Sequence, residues 1–391
     1  MRARLTRLTA LLFVLVLTGA LAPALRAVSG AASPQGTGRL VFIGTYTGPT
    51  SEGIYAFRFD ERSGALTPLG LAAATPNPSF LAISPDRRFL FAVNETSAFD
   101  TEKSGSVRSF SIDAATGKLT ELSVQSSRGA DPCHLAVDRT GRFLAVANYT
   151  GGNFALFPIA ADGRLGPASA VLTNEGSGPN RARQERPHAH AVMFDPGNRF
   201  LLGADLGIDR VLVYRFDPVR GTVAPNTPPS ATVTAGAGPR HLAFHPNGRQ
   251  LFSINELSST VTEFLWDTRT GTLAARPEIS TLPPAGPAGN STAEIVVHPN
   301  GRVVYASNRG HDSIAVFATD VRRGLSLVEI EPTRGQTPRN FALDVTGRWL
   351  IAANQRSGNL AVFAIDAKTG ALTPAGPLAA VGSPVCILFV S

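Results

Sequence analysis

Seven copies of one short phrase dominate this sequence. Each copy has an Arg, a short apolar run, and a polar residue six positions after the Arg. The copies begin at Arg39, Arg88, Arg142, Arg199, Arg249, Arg302 and Arg348. Their starts lie 46–57 residues apart, and a repeat of that length indicates a propeller, a solenoid or an array. A repeat also fixes which segments converge on a common axis, where a shared site could form.

Short strands surround each copy of the phrase. The apolar stretch before it ends in a turn, as in 81–86 and 242–248, whose Pro, Asn and Gly set the backbone angles of tight turns. An alternating run such as 106–112 follows the phrase, and then a weaker fourth strand. We find no convincing helical periodicity after the first 30 residues. The pattern therefore predicts an all-β chain of four-stranded units, as in the blades of a β-propeller.

The two ends of the repeat predict how the ring closes. The innermost strand of each blade (strand a) precedes the phrase, and the phrase itself is strand b. We predict strands a at 79–83, 133–137, 190–194, 240–244, 293–297, 339–343 and 385–389. The first phrase has no strand a before it, whereas the chain ends on one. The C-terminal strand should therefore complete the first of seven blades, which removes an open sheet edge, and the propeller should span 38–391.

Residues 1–30 have a different composition. Arg2, Arg4 and Arg7 precede an apolar run at 8–17 and then small residues, which is the pattern of a secretory signal peptide. The alternative is a retained membrane anchor, but the apolar run is short for a span. We therefore expect an exported protein, with no membrane association after cleavage.

The leader also distorts the net charge. It carries four Arg and no acid, so the formal charge of +7 falls to +3 when it is removed. The sequence has no run of Lys and Arg with interleaved aromatic residues, and we expect no nucleic-acid partner. We expect the mature protein to be a monomer.

Two cysteines in an exported protein suggest a disulfide, but the repeat argues against one. Cys133 begins strand a of the third blade, and Cys386 lies in strand a of the first. These blades are not neighbours, so we predict two free, largely buried thiols.

Candidate site residues appear where the repeat is broken. In an antiparallel blade, the start of strand a and the end of strand b lie at one face of the ring, which we call the mouth. A residue present in every blade builds the blade, whereas site residues should depart from the repeat. Ionisable side chains crowd the mouth positions. They are His134, His188, His190, Arg240, His241, Glu256, Glu294, Arg309, His311 and Arg339.

These residue types suit the opening of a lactone or ester. A carboxylate or a neutral imidazole can accept a proton from water. Guanidinium groups can hold a carboxylate or phosphate by two hydrogen bonds and stabilise an oxyanion. The alternative is that these side chains pair with one another and only fill the channel. A metal site on His188 and His190 is conceivable, but no further ligands have a suitable spacing, so we predict no metal or other cofactor.

The longest insertion, 176–187, leads into strand a and should lie at the same mouth. It is either a loop that covers the substrate or ordinary surface, and long loops are often functional.

Several phrases together resemble the seven-bladed propeller lactonases of the bacterial 6-phosphogluconolactonase type. They are 44–47, 131–137, 146–149, 176–180, 183–185, 187–191, 238–241, 254–257, 293–295, 307–313 and 337–341. The same family includes a fungal carboxymuconate cyclase, which runs lactone chemistry in the other sense. By motif, the resemblance implies a catalytic set of His190 (with His188 as the less favoured alternative), Arg240, Glu256 and Arg309, and no metal.

The resemblance implies a hydrolase that opens a small sugar lactone. Glu256 or His190 would act as base toward water, while Arg240 and Arg309 would hold an anionic substrate and the developing oxyanion. We expect the other mouth residues to bind substrate. They are His134, His188, His241, Glu294, His311 and Arg339. A lactonising cycloisomerase and a non-catalytic exported binding propeller remain the alternatives, because export does not fit a cytosolic sugar phosphate.

Overall fold

The computed structural model describes residues 38–390, whose strands form seven antiparallel sheets. The strands are β1 (Arg39–Thr45), β2 (Gly53–Phe59), β3 (Leu66–Ala74), β4 (Leu81–Ile83), β5 (Phe89–Asn94), β6 (Ser106–Ile112), β7 (Leu119–Ser126), β8 (Pro132–Val137), β9 (Phe143–Asn148), β10 (Asn153–Pro158), β11 (Ala170–Thr173), β12 (Ala189–Phe194), β13 (Phe200–Asp205), β14 (Arg210–Asp217), β15 (Thr222–Thr232), β16 (Pro239–Phe244), β17 (Gln250–Asn255), β18 (Thr260–Asp267), β19 (Thr272–Ala275), β20 (Ile279–Ser280), β21 (Ser291–Val297), β22 (Val303–Arg309), β23 (Ser313–Asp320), β24 (Gly324–Pro332), β25 (Pro338–Leu343), β26 (Trp349–Asn354), β27 (Asn359–Ile365), β28 (Leu372–Ala380) and β29 (Pro384–Phe389). One 3₁₀ turn, Leu206–Ile208, follows β13.

The sheets confirm the predicted seven-bladed propeller. Blade 1 has the order β29-β1-β2-β3, and blades 2 to 7 follow in chain order from β4 to β28. The ring closes as predicted, because β29 pairs with β1 through Val41–Phe389 and Ile43–Ile387. Blade 5 departs slightly from the four-strand pattern, since β19 and β20 both pair with β18. Pro277 lies between them and has no N–H to donate to a ladder, which explains the break.

The hydrophobic core consists of seven wedges, one between each pair of neighbouring blades. In the wedge between blades 7 and 1, Val41, Ile43 and Phe389 pack on Ile351 and Leu360. Each strand b is covered on both faces, and every residue of β5, β9, β13 and β17 is buried. Burial on both faces favours continuous apolar runs over alternation, and this explains the repeated phrase.

The polar ends of the phrase join neighbouring blades. The side-chain amides of Asn308 and Asn354 donate to the carbonyls of Thr281 and Thr333, which follow the outer strands of the preceding blades, at 3.0 and 2.9 Å. At the opposite face, the guanidinium of Arg88 donates to the carbonyl of Ala161 in the next blade at 3.1 Å. These contacts give the repeated residues a structural role.

Cys133 and Cys386 are both buried and free, as predicted. The predicted leader, 1–30, lies outside the described residues. Within residues 38–390, no helix has the length and apolar character needed to cross a membrane.

Candidate active site

A β-bulge at the mouth end of strand a builds the candidate site. In six blades the pairing between strands a and b skips a position there. The skipped residues are Cys133, His190, Arg240, Ala293 with Glu294, Arg339 and Val385. A bulge re-aims side chains, so two successive residues such as Arg240 and His241 both reach the mouth cluster, although a regular strand would point them to opposite faces.

Three guanidinium groups surround the carboxylate of Glu256, whose side chain is 6% exposed. Arg240 Nε and Arg309 Nη2 lie 2.9 and 2.8 Å from Oε2. Arg183 Nη2 lies 2.5 Å from Oε1 and 3.2 Å from the hydroxyl of Tyr149. The structure thus brings together three of the four predicted catalytic residues and adds Arg183.

The bulge in blade 6 supplies further acceptors for these guanidiniums. Arg240 Nη1 donates to the carbonyl of Ala293, and Arg309 Nη2 to that of Thr292, each at 2.7 Å. Nε of Arg309 is buried and has no hydrogen-bond partner among the described residues. This N–H is therefore a donor that no described residue uses.

The charge of this cluster is asymmetric. Burial opposes ionisation of Glu256, but Arg309, Arg240 and Arg183 outweigh it and hold its pKa well below the usual range. Burial and the nearby Arg309 and Arg339 lower the pKa of Arg240 to about 10, still far above neutral. One carboxylate therefore faces three cations, which leaves an excess positive charge. A carboxylate this acidic is a weak proton acceptor, so its geometry suits holding the guanidiniums.

His190, His241 and His134 form a chain of rings beside the guanidiniums. The ring centroids of His190 and His241 are 5.3 Å apart, and those of His241 and His134 are 5.0 Å apart. Burial is the main cause that lowers the pKa of all three well below the usual value, and the charge of Arg240 adds to it. The imidazoles are therefore neutral at neutral pH. Nδ1 of His190 lies 3.7 Å from Sγ of Cys133.

Glu294 contacts this row of histidine rings through His241. Its Oε1 is 2.9 Å from Nδ1 of His241 and accepts the amide of Ile295 at 3.0 Å. Its Oε2 accepts the side-chain amide of Asn340. Burial raises the pKa of Glu294 to about 7, although Arg240 and these hydrogen bonds favour the anion.

Some residues of this polar cluster also line a cavity. His134, Glu294 and Asn340 line one end of a cavity of about 530 Å³, whose walls are largely apolar side chains such as Val192 and Phe341. Members of the polar cluster therefore also contact this apolar cavity.

A second group occupies the other side of the mouth. The guanidinium carbon of Arg339 lies 5.3 Å from the ring centroid of Tyr46, and the Tyr46 hydroxyl lies 2.9 Å from both oxygens of Glu95. Arg339 was predicted from the sequence. Tyr46 and Glu95 directly follow strands b of the first two blades, but they were not among the predicted residues.

Two predicted residues lie away from the centre. His188 stacks on Tyr149 with centroids 4.5 Å apart, and its Nε2 lies 3.1 Å from Glu185, so it belongs to the rim. Nδ1 of His311 lies 2.8 Å from the hydroxyl of Ser313 in the same blade. The prediction grouped His311 with the cluster because of its position in the chain, but its side chain contacts its own blade.

The insertion 176–187 supplies the residue that the predicted set lacked. Gln184 is fully buried and donates to the carbonyl of Leu206 and to Asp209 at 2.8 and 2.7 Å. These hydrogen bonds fix the loop at the residue next to Arg183, whose guanidinium contacts Glu256. The position of the insertion was the signal in the sequence, but a single loop has no repeat to align it with. Within residues 38–390, no cluster of three or more His, Cys, Asp or Glu side chains is arranged to hold a metal ion.

Comparison with known proteins identifies the family. The family model described as "Lactonase, 7-bladed beta-propeller" matches residues 40–389. The chain belongs to this lactonase family. The resemblance stated above is thereby confirmed, as is the prediction of an enzyme family of lactone hydrolases.

Two relatives show the extent of the likeness. The 6-phosphogluconolactonase of Bacillus subtilis is 36% identical over 350 residues, covering 89% of this chain and 97% of that protein. The solved structure of a periplasmic gluconolactonase from Pseudomonas aeruginosa has a TM-score of 0.84 and 33% identity, covering 90% of this chain and 99% of that one. The lactonase fold therefore extends over nearly all of the described residues.

Proposed function

We propose that this lactonase hydrolyses a small sugar lactone at the mouth of the propeller. The observation that carries the proposal is the cluster of Arg183, Arg240 and Arg309 around one buried carboxylate. Its excess positive charge would attract an anionic substrate group, because guanidinium N–H groups match a carboxylate or phosphate. The names of the two relatives support a sugar lactone, with or without a phosphate.

The reaction requires a water, a base and an oxyanion site. Water would add to the lactone carbonyl carbon while a neutral imidazole takes one of its protons. The carbonyl oxygen would become an oxyanion, stabilised by guanidinium donors such as the unpaired Nε of Arg309. Cleavage of the ring C–O bond then yields the hydroxy acid, and the proton returns to the leaving oxygen.

The charges around Glu256 support a different role for it from the one expected. Glu256 was one of two candidate bases, but three guanidiniums hold its pKa well below the usual range. We propose that Glu256 orients the arginines, and that a histidine of the cluster accepts the proton. His190 is the histidine that the family resemblance favours.

A lactone panel tests this function. Purified mature protein should open 6-phosphogluconolactone or gluconolactone, measured as acid release in a pH-stat. Activity on muconolactone alone, or closure of an unsaturated diacid, would favour the cycloisomerase. No turnover of any lactone, combined with binding of sugar acids, would favour the binding propeller.

We propose in addition that the protein is exported and acts as a monomer. The Arg-flanked apolar leader supports export, and so does the periplasmic source of the Pseudomonas aeruginosa relative.

A further inference from the structure

His241 has one satisfied and one unsatisfied ring nitrogen. Its side chain is 4% exposed, and Nδ1 lies 2.9 Å from Oε1 of Glu294. Nε2 is buried and has no hydrogen-bond partner among residues 38–390. A buried polar atom without a partner costs folding free energy, so such an atom in a native structure calls for an explanation, and a catalytic role is one of those known.

The structural histidines of this fold behave differently. Nε2 of His298 lies 2.8 Å from the carbonyl of Gly347, and its Nδ1 accepts the amide of Asn300 at 3.1 Å. His245 makes the equivalent two contacts one blade earlier, with Gly301 and Asn247. Buried histidines that brace the turns therefore use both nitrogens, so burial alone does not explain His241.

Glu294 determines which nitrogen of His241 can act as a base. Its carboxylate is held by Ile295 and Asn340, so as an anion it can only accept, and Nδ1 of His241 must carry the proton. Nε2 then presents its lone pair. His190 has no such support, because its Nδ1 faces the thiol of Cys133.

We infer that His241, oriented by Glu294, is the general base of this lactonase and accepts the proton of the attacking water at Nε2. The inference rests on the proposed lactone hydrolysis and assigns its base. The bond between water oxygen and carbonyl carbon forms as a water O–H bond breaks, and the proton moves to Nε2. When the ring C–O bond breaks, Nε2 returns this proton to the leaving oxygen, so the base is regenerated and no other reactant is needed.

The pair of His241 and Glu294 should make the rate depend on pH, with lower activity on the acidic side of the pH–rate profile. Below its pKa of about 7, Glu294 is protonated and donates to Nδ1, which places the ring proton on Nε2 and removes the lone pair. Activity should therefore rise with pH through about 7. Because the two groups share a hydrogen bond, this pH dependence belongs to the pair. Seven other titratable or charged groups lie near the pair. They are His134 on β8, His190 on β12, Arg240 on β16, Glu256 after β17, Arg309 on β22, Arg339 on β25 and Cys386 on β29.

Glu294→Gln tests the pair in the full mature protein. The neutral amide removes the carboxylate charge that fixes the proton on Nδ1 and supports proton transfer at Nε2, so kcat should fall by about 10²–10⁴-fold. KM for an anionic lactone should change little, since the arginines remain, and the pH dependence near pH 7 should disappear. His298→Gln is the matched control, a buried histidine at the opposite face, and it should keep the wild-type kcat and pH profile. Circular dichroism melts confirm that each variant folds.

His241→Ala provides a second readout that packing alone would not give. Added imidazole should restore part of the lost kcat, whereas pyrazole, which has the same shape but is a far weaker base, should not. Equal rescue by both, or near wild-type kcat in His241→Ala and Glu294→Gln, would overturn the inference while the lactonase function stands. An inactive wild-type protein on the whole panel would instead overturn the proposed function, and the assignment of a base with it.

Discussion

Glu256 shows how neighbours change the role of a residue. The sequence alone offers a carboxylate at the mouth, and a carboxylate is an obvious base. The structure places three guanidiniums within 3 Å of it, and these make it a strong acid. The structure brings the residue into the cluster, but its chemistry depends on distances that no spacing in the sequence encodes.

Glu256→Gln should therefore act mainly on stability and on the arrangement of the arginines. Removing one partner of a buried ion pair typically costs about 3–5 kcal/mol of unfolding free energy. The folded pKa of Glu256 is depressed, so its contribution is present above the unfolded value of about 4.3 and is lost as pH falls below it. The gap in Tm between wild type and Glu256→Gln should be large at pH 7 and should shrink toward pH 3.

Glu121→Gln is the control for that experiment, because Glu121 pairs with Arg108 at the surface and exposed pairs contribute little. A Tm gap for Glu256→Gln that is constant across this pH range would contradict the assigned ionisation.

At the scale of elements, the bulges in strand a matter most. The repeat predicted the ends of each strand a to within two residues of those observed. It could not predict the bulges, since a skipped position changes pairing without changing composition. Arg240 and His241 both reach the mouth for this reason, and the carbonyl of Ala293 becomes an acceptor.

The insertion 176–187 should decide how strongly the charge of a substrate matters. Arg183 is 41% exposed and touches Glu256 and Tyr149, so it can reach a substrate group outside the buried cluster. Arg183→Ala should raise KM for a phosphorylated lactone by about 10-fold or more, because a charge-assisted hydrogen bond is worth about 1.5–3 kcal/mol. KM for gluconolactone should change less.

Arg186→Ala is the matched control in the same loop, since Arg186 pairs with the exposed Glu185 and with no other acidic side chain among residues 38–390. Equal losses on charged and neutral lactones would mean that Arg183 has a purely structural role.

The closing strand β29 should be as important as any central strand. Phe389 is 7% exposed, and its ring packs edge-on against Phe59 with centroids 5.4 Å apart. Phe389→Ala should lower the free energy of unfolding by about 3–5 kcal/mol, measured by denaturant titration. Val171→Ala, at an exposed position of β11, should stay within about 0.5 kcal/mol of wild type. A similarly small effect at Phe389 would mean that β29 does not hold the ring together.

At the scale of the whole molecule, the ring was predictable and the site only partly so. Seven repeats and a split first blade leave one closed arrangement, and the fold followed from them. The site lies where the repeat is broken, so each residue there had to be judged alone. The structure brings Arg240, Glu256 and Arg309 together, whereas His311 contacts its own blade. Arg183 was not among the predicted residues, because its loop has no counterpart in the other blades.

Export is the remaining prediction at this scale, and it decides which lactones the protein can meet. The leader carries four of the 36 Lys and Arg residues, and positive charge before an apolar run directs secretion. When the full chain is expressed in a bacterium, N-terminal sequencing of the periplasmic protein should begin at about residue 25–36. Val14→Arg interrupts the apolar run and should leave an intact chain in the cytoplasm, while propeller stability stays unchanged. Wild-type protein that keeps Met1 in the cytoplasm would contradict export and return a cytosolic sugar phosphate to first place among substrates.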